Sequence, residues 1–295
     1  MTPAAFDDWM TRRLDDVERA LHAWVPQDAP AGLGEAMRYG VLDGGKRLRP
    51  LLVLAASEAV AGHAAAALRA AVAVELIHAY SLVHDDMPCM DNDVMRRGKP
   101  TVHVRYGEAQ AMLAGDAMQA LAFEVLTPES GVPPPMQARL CALLARAAGH
   151  AGMAGGQAID LASVGKPLTE EQLRDMHRRK TGALLRGSVI MGAACGEPGS
   201  AVCEALDAYG AAIGLAFQVI DDVLDVTQGT DKLGKTAGKD VHSNKPTYVT
   251  AMGVEAALAY ARSLRDGAHE ALERSGLPDS AALRILADRV VERDN

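Results

Sequence analysis

The chain has 295 residues and a formal net charge of -8. An acidic balance whose cations sit beside acids, and not in a basic stripe, argues against a nucleic-acid-binding surface. Hydrophobic residues make up 49% while aromatics supply only 4%, so the core must come from Ala, Leu, Val, Ile and Met, which favours close-packed helices over sheets.

No linker composition divides residues 1–295, which are read as one domain even though that is long for a single core. The amino terminus carries acids from Asp7 onward and lacks the character of a secretory or organelle signal. The uncharged run 208–220 is shorter than the roughly 18 apolar residues that span a bilayer. These features predict a cytoplasmic protein without a membrane span. Cys89, Cys141, Cys195 and Cys203 fit neither metal nor disulfide spacing and read as reduced thiols.

In chain order, residues 4–24 put Leu14, Val17 and Leu21 on one helical face, closed by Pro26. A second short helix spans 31–42 and breaks at Asp43-Gly44-Gly45. Pro50 opens a third at the first-turn position proline prefers. Between them Lys46, Arg47 and Arg49 stand on a Gly-rich turn leading into a helix amino terminus, two features that favour an anion. The stretch lacks Walker-loop spacing, and taken alone it reads as a solvated basic turn.

Residues 72–100, VAVELIHAYSLVHDDMPCMDNDVMRRGKP, carry denser chemistry. An apolar helical run ends in Asp85 and Asp86, passes Pro88 to Asp91 and Asp93, then turns basic at Arg96, Arg97 and Lys99. Carboxylates this close raise one another's cost of ionisation unless a cation neutralises them. Hard oxygen ligands suit Mg²⁺, with the paired arginines as further phosphate partners. Asp85 and Asp91 would lie on different faces of an unbroken helix; Pro88 ends or bends it, so that Asp91 folds back. His78, Ser81, Leu82 and Asp85 share a face. A helical histidine is commonly a core or surface group, but His78 sits two turns behind the acids and serves equally as a phosphate contact. Beside this second cationic group, the turn at 44–50 reads better as a phosphate site.

The helix at 107–126 holds Asp116 in a stretch too apolar for a solvated acid, so Asp116 either pairs with a cation or serves the site. A loop follows at 131–135, then helices at 136–149 and 153–161. On the latter Gln157 and Asp160 share a face that capping or surface roles explain equally well. A helix start at 169–171 leads to Lys180-Thr181-Gly182, placed either to reach a cavity or as an ordinary helix junction. On 205–226, Gln218, Asp221, Asp222 and Asp225 line one face below Ile213, Phe217 and Ile220. The like-charged pair Asp221 and Asp225 costs roughly 0.2–0.5 kcal/mol unless a cation compensates. Residues 230–248, with Lys232, Lys235, Lys239 and Lys245, read as a loop closing over phosphates or as solvated lysines. Helices at 254–275 and 281–293 read as scaffold.

Four ordered motifs, GGKRLRP at 44–50, HAYSLVHDDMPCMDNDVMRRGKPT at 78–101, KTGAL at 180–184 and FQVIDDVLD at 217–225, make the chain resemble the bacterial short-chain trans-prenyl diphosphate synthases. It is most similar to farnesyl diphosphate synthases, and the resemblance covers essentially the whole chain. It implies an all-α, single-domain bundle of about ten or more helices around a central cavity, and a homodimer. It implies that Asp85, Asp86, Asp91, Asp221 and Asp225 gather three Mg²⁺ ions on an allylic diphosphate, Mn²⁺ being a substitute, with Asp91 preferred to Asp93. Lys46, Arg49, His78 and Arg97 match the isopentenyl diphosphate site. Arg96, Lys180, Thr181, Gln218, Lys235 and Lys245 match the allylic side, where Lys180, Thr181 and Gln218 offer dipoles to an allylic cation. Tyr80 and Ser81 stand where a growing chain meets the cavity floor. The aromatic Tyr80 argues for a C15 stop, and the small Ser81 against stopping at C10.

The implied reaction is head-to-tail condensation of isopentenyl diphosphate with dimethylallyl or geranyl diphosphate. Geranylgeranyl and geranyl diphosphate synthases differ from this only in chain length. A class I terpene cyclase needs no second diphosphate site and leaves Lys46, Arg49 and Arg97 unexplained. A non-catalytic subunit would be expected to have lost one acidic motif, and both are intact here.

Overall fold

The computed structural model describes residues 1–42, 44–166, 168–227 and 247–293. In chain order these form α1 (Pro3–Trp24), a 3₁₀ turn, α2 (Leu33–Val41), α3 (Leu48–Ala59) and α4 (Ala64–Asp85). A hairpin, β1 (Met95–Arg96) and β2 (Lys99–Pro100), leads into α5 (Val102–Tyr106), α6 (Glu108–Leu126), α7 (Pro134–Ala148), α8 (Met153–Ala162) and α9 (Glu170–His177). A π turn (Arg178–Gly182) joins α9 to α10 (Ala183–Ala194), followed by α11 (Ser200–Thr227), α12 (Tyr248–Met252), α13 (Val254–Ser275) and α14 (Ala281–Val291). The all-α class anticipated from composition is the observed one.

α4 stands at the centre because its first three turns and more have no polar face: Ala66, Ala70, Val72, Val74, Leu76 and Ile77 are all buried, the pattern of a helix enclosed on every side. α3, α6, α7 and α10 surround it. Its many alanines keep it slim, so neighbours approach closely. α11 packs along α13, α10 and α14. Phe6 and Trp9 of α1 share a core with Leu206, Tyr209, Leu283 and Leu286, which ties the first helix to the last. By length and composition α4 and α11 could also cross a membrane, so the short uncharged run does not by itself exclude a span. In this fold α4 is a mostly buried core helix.

Local boundaries follow sequence chemistry with some shifts, the largest at α11, which begins at Ser200 and not at 205. α3 begins at Leu48, with Arg47 as a left-handed amino-terminal cap at φ 47° and ψ 32°. Pro50 is therefore its third residue, still within the first turn where a missing N–H removes no helical bond. α7 starts at Pro134, inside the expected loop. Thr169 and Gln172 form a reciprocal capping box that starts α9 as anticipated.

Candidate active site

α4 ends at Asp85, and Asp86 caps it. The following loop returns on itself: the Asp91 N–H donates to the Asp85 carbonyl at 2.8 Å and the Asp93 N–H to that of Asp86 at 3.1 Å. Pro88 lies beyond the last helical residue, so the helix ends before it. Asp85 and Asp86, consecutive on a helix, point about 100° apart, and the structure uses them differently. Asp86 is buried and held by Arg96, whose Nε and Nη2 approach its carboxylate at 2.8 Å and 2.6 Å. Burial raises the Asp86 carboxyl above its usual range, and Arg96 opposes the rise. Burial pushes the Asp85 carboxyl up to about 6; Lys180 works against this and Asp91 adds to it. The field of Asp91 thus acts on Asp85, while that of Asp93 acts on Asp86 and Arg96.

The two cationic stretches meet. Arg97 and Gly98 form the two-residue turn of the hairpin with φ of 51° and 73°, the left-handed pair such a tight turn requires. From there Arg97 Nη1 donates to the Gly44 carbonyl. His78 is kept neutral, well below its ordinary range, first by burial and then by Arg49, Arg97, Arg96 and Arg47. Burial brings Arg49 down to about 10, which leaves it a cation at neutral pH, and its buried Nε has no hydrogen-bond partner among the described residues. Arg47 departs from the expected anion-facing turn. It points inward, with its side chain 1% exposed, and donates to Glu18, Glu75 and the Val41 carbonyl.

A third set comes from the π turn and α11. Lys180 Nζ donates to Asp160 Oδ2 at 2.6 Å. The two meet because α8 lies against the π turn at Gly156, where a Cβ would stand 2.1 Å from the Lys180 nitrogen. Thr181 Oγ1 donates to Gln218 Oε1 and Gln218 Nε2 to Asp222 Oδ1, each at 2.8 Å. The Tyr248 N–H completes the chain on Asp222 Oδ2. Asp222 is therefore spent on structure, while Asp221 and Asp225 lie one turn apart on the same face of α11.

Several residues enter the site, or leave it, unannounced by the sequence. Asp160 is buried against Lys180, neither a cap nor a surface group. Gln157, one turn earlier, and His177 have no hydrogen-bond partner among the described residues. Arg293, expected as scaffold, stacks 3.9 Å over Phe217 and lies 3.5 Å from Asp221. Its charge also lowers Lys46 and Arg49, after burial. Asp116 corrects an expectation in the other direction: it is exposed on α6, on a face shared with exposed Met112 and Leu113, and pairs with no cation among the described residues. Ser81 Oγ donates to the His78 carbonyl, and Tyr80 is half-buried on α4. Lys232, Lys235, Lys239 and Lys245 lie outside the described residues.

The chain and its fold have counterparts among known proteins. The polyprenyl synthetase family model matches residues 30–274. Geranylgeranyl pyrophosphate synthase 9, chloroplastic, from Arabidopsis thaliana is 46% identical over 99% of this chain and 83% of its own length. An apo FPP/GFPP synthase from Zymomonas mobilis superposes with a TM-score of 0.87 at 40% identity, over 98% of this chain and 100% of the other. A geranyltransferase from Helicobacter pylori, complexed with magnesium and isoprenyl diphosphate, superposes at 0.84 with 34% identity over 98% and 97% of the two chains. The similar plant protein is chloroplastic by name, so the expectation of a cytoplasmic location gains no support from it. An all-α bundle, matched by the family model over residues 30–274 and by a relative 46% identical along nearly its whole length, places the chain in the polyprenyl synthetase family as a prenyltransferase of isoprenoid biosynthesis.

Proposed function

We propose that this protein condenses isopentenyl diphosphate with dimethylallyl and then geranyl diphosphate, stopping mainly at farnesyl diphosphate (C15). The observation that carries the C15 stop is Tyr80, five residues or about 7.5 Å of helix axis below Asp85, half-buried on the face of α4 that meets α6. C20 is the second reading, favoured by similar plant proteins named as geranylgeranyl synthases.

The donor set fits Mg²⁺. Among the described residues no three acidic, histidine or cysteine side chains close a metal shell unaided. Mg²⁺ needs no such shell, because one or two carboxylates plus substrate phosphates and water suffice. Asp85 with Asp91, and Asp221 with Asp225, would hold such ions; we retain the expectation of three. With Asp86 committed to Arg96, its role is to place that guanidinium, and Asp91 is preferred to Asp93 because its field falls on Asp85. When bound, the ions neutralise charge developing on the leaving diphosphate.

The chain's own groups do the rest. Lys180 and Arg96 are fixed by Asp160 and Asp86 before substrate arrives, so little reorganisation is needed when negative charge appears. Lys46, Arg49 and Arg97 form a second anion pocket, and neutral His78 adds a donor without adding charge. The Thr181 and Gln218 oxygens face the allylic cation as dipoles, since a strong nucleophile there would trap it. We assign the departing proton to the released diphosphate, which forms beside the new bond and is a better-placed acceptor than any side chain we assign to the site. A homodimer is the expected assembly.

The test is to supply isopentenyl diphosphate with either starter and Mg²⁺ and to size the dephosphorylated products. A dominant C15 alcohol from both supports the reading, and C20 moves the floor. A cyclised hydrocarbon, or no elongation, overturns it. Ser81→Phe, which adds bulk one turn before Asp85, is expected to shift the main product to C10. An unchanged product would refute the placement of the floor.

A further inference from the structure

Below Asp85, α4 and α6 fit together around a single glycine. The rings of Tyr80 and His84, one turn apart on α4, meet edge to face with centroids 5.7 Å apart and planes at 73°. His84 Nε2 lies 3.0 Å from the Met112 carbonyl on α6 and, facing an acceptor, carries the ring proton. A Cβ at residue 115 would stand 2.0 Å from that same Nε2, so His84 can occupy this position only because residue 115 is Gly. One turn further along α6, Gln119 Nε2 donates to the Tyr80 hydroxyl at 3.4 Å, a long contact that a small swing of the ring would break. Met112, Gly115 and Gln119 follow at i, i+3 and i+7, one face of α6.

We propose that this α6 face sets product length by holding Tyr80 in place, with Gly115 and Gln119 as positioning residues that act through His84 and directly on the phenol. The inference rests on the reading of Tyr80 as the cavity floor. A tyrosine ring turns about two side-chain bonds, and a floor that swings aside passes a longer chain. His84 blocks that swing from the side, and Gln119 tethers the hydroxyl end. A methyl group at 115 displaces His84, a shift its side chain accommodates without unfolding the helix. The ring beside Tyr80 is then lost as a stop.

The experiment compares wild type, Gly115→Ala, Gln119→Ala and Tyr80→Ala, each alone and with the α6 changes combined with Tyr80→Ala. The readouts are product lengths from geranyl plus isopentenyl diphosphate and the rate of the first condensation from dimethylallyl diphosphate. Gly115→Ala and Gln119→Ala are each expected to raise the share of products longer than the wild-type main product at least threefold, with the first condensation within about twofold of wild type. Neither should lengthen products further once Tyr80 is Ala, because there is then no ring to hold. If Tyr80→Ala lengthens products and the α6 variants do not, or if their effects add to it, the positioning role is overturned and the floor stands. If Tyr80→Ala leaves length unchanged, the floor reading falls and takes the α6 role with it.

Discussion

Asp85→Asn is expected to lower kcat/KM by roughly 10³-fold while making the metal-free protein more stable. The loss follows from removing a carboxylate that we propose holds a metal against the leaving diphosphate, an interaction worth about 4 kcal/mol in the transition state. The gain follows from the carboxyl's surroundings. Burial holds it up to about 6 in the folded chain, against roughly 4 unfolded. An acid raised on folding contributes stability that is present at low pH and lost as pH rises from about 4 through 6, so at neutral pH the charged form burdens the fold by about 3 kcal/mol. Asparagine removes that burden. In EDTA at pH 7.5 the variant should melt roughly 5 °C above wild type, and the gap should narrow towards pH 5. Thermal melts at both pH values and initial rates in Mg²⁺ check the two arms. Activity within tenfold of wild type would remove Asp85 from the metal site. A fall in both activity and melting temperature would point to misfolding instead.

The opposite signs in that prediction reflect how the site is built, and how much of it a sequence can disclose. The acids at the end of α4 and along α11 are legible because they break an apolar pattern at fixed helical spacing. Pro88 tells a reader that the chain must leave the helix before Asp91. The split between Asp85 and Asp86 is not anticipated: the sequence groups both with Asp91 as ligands, whereas the structure commits Asp86 to Arg96. What cannot be read is which charge meets which across space. Lys180 finds Asp160 on another helix through a glycine contact. Arg293 reaches Phe217 and Asp221, 76 and 72 positions earlier in the chain. Asp116 looks buried by its neighbours, yet those apolar neighbours include the exposed Met112 and Leu113. Apolar composition marks a helix face for burial but does not say whether its own bundle buries it. The acidic motifs are local patterns, whereas the cations around them and their counter-ions depend on packing.

Arg47 gives the second large effect, and it runs against the appearance of the GGKRLRP stretch. We propose Lys46 and Arg49 for the anion pocket, but Arg47 between them is turned into the protein with Glu75, itself 3% exposed, 2.6 Å away. Its backbone is held at a positive φ, a conformation that costs about 1–3 kcal/mol for a side chain with a Cβ and persists only where surrounding contacts impose it. Removing one partner of a buried pair leaves the other's charge uncompensated, at about 3–5 kcal/mol. Arg47→Met should therefore lower the melting temperature on the order of 10 °C. It should also raise KM for isopentenyl diphosphate about tenfold or more, as Lys46 and Arg49 lose the anchor that aims them. KM for the allylic substrate should change much less. Adding Glu75→Leu, which removes the stranded charge, should restore most of the stability but not the isopentenyl diphosphate KM, because the turn is still unanchored. Denaturant unfolding and initial rates with each substrate varied in turn separate these effects. If Arg47→Met loses less than about 1 kcal/mol, the buried pair is not what holds the turn. If the double variant regains its isopentenyl diphosphate KM along with its stability, the anchoring role of Arg47 is refuted.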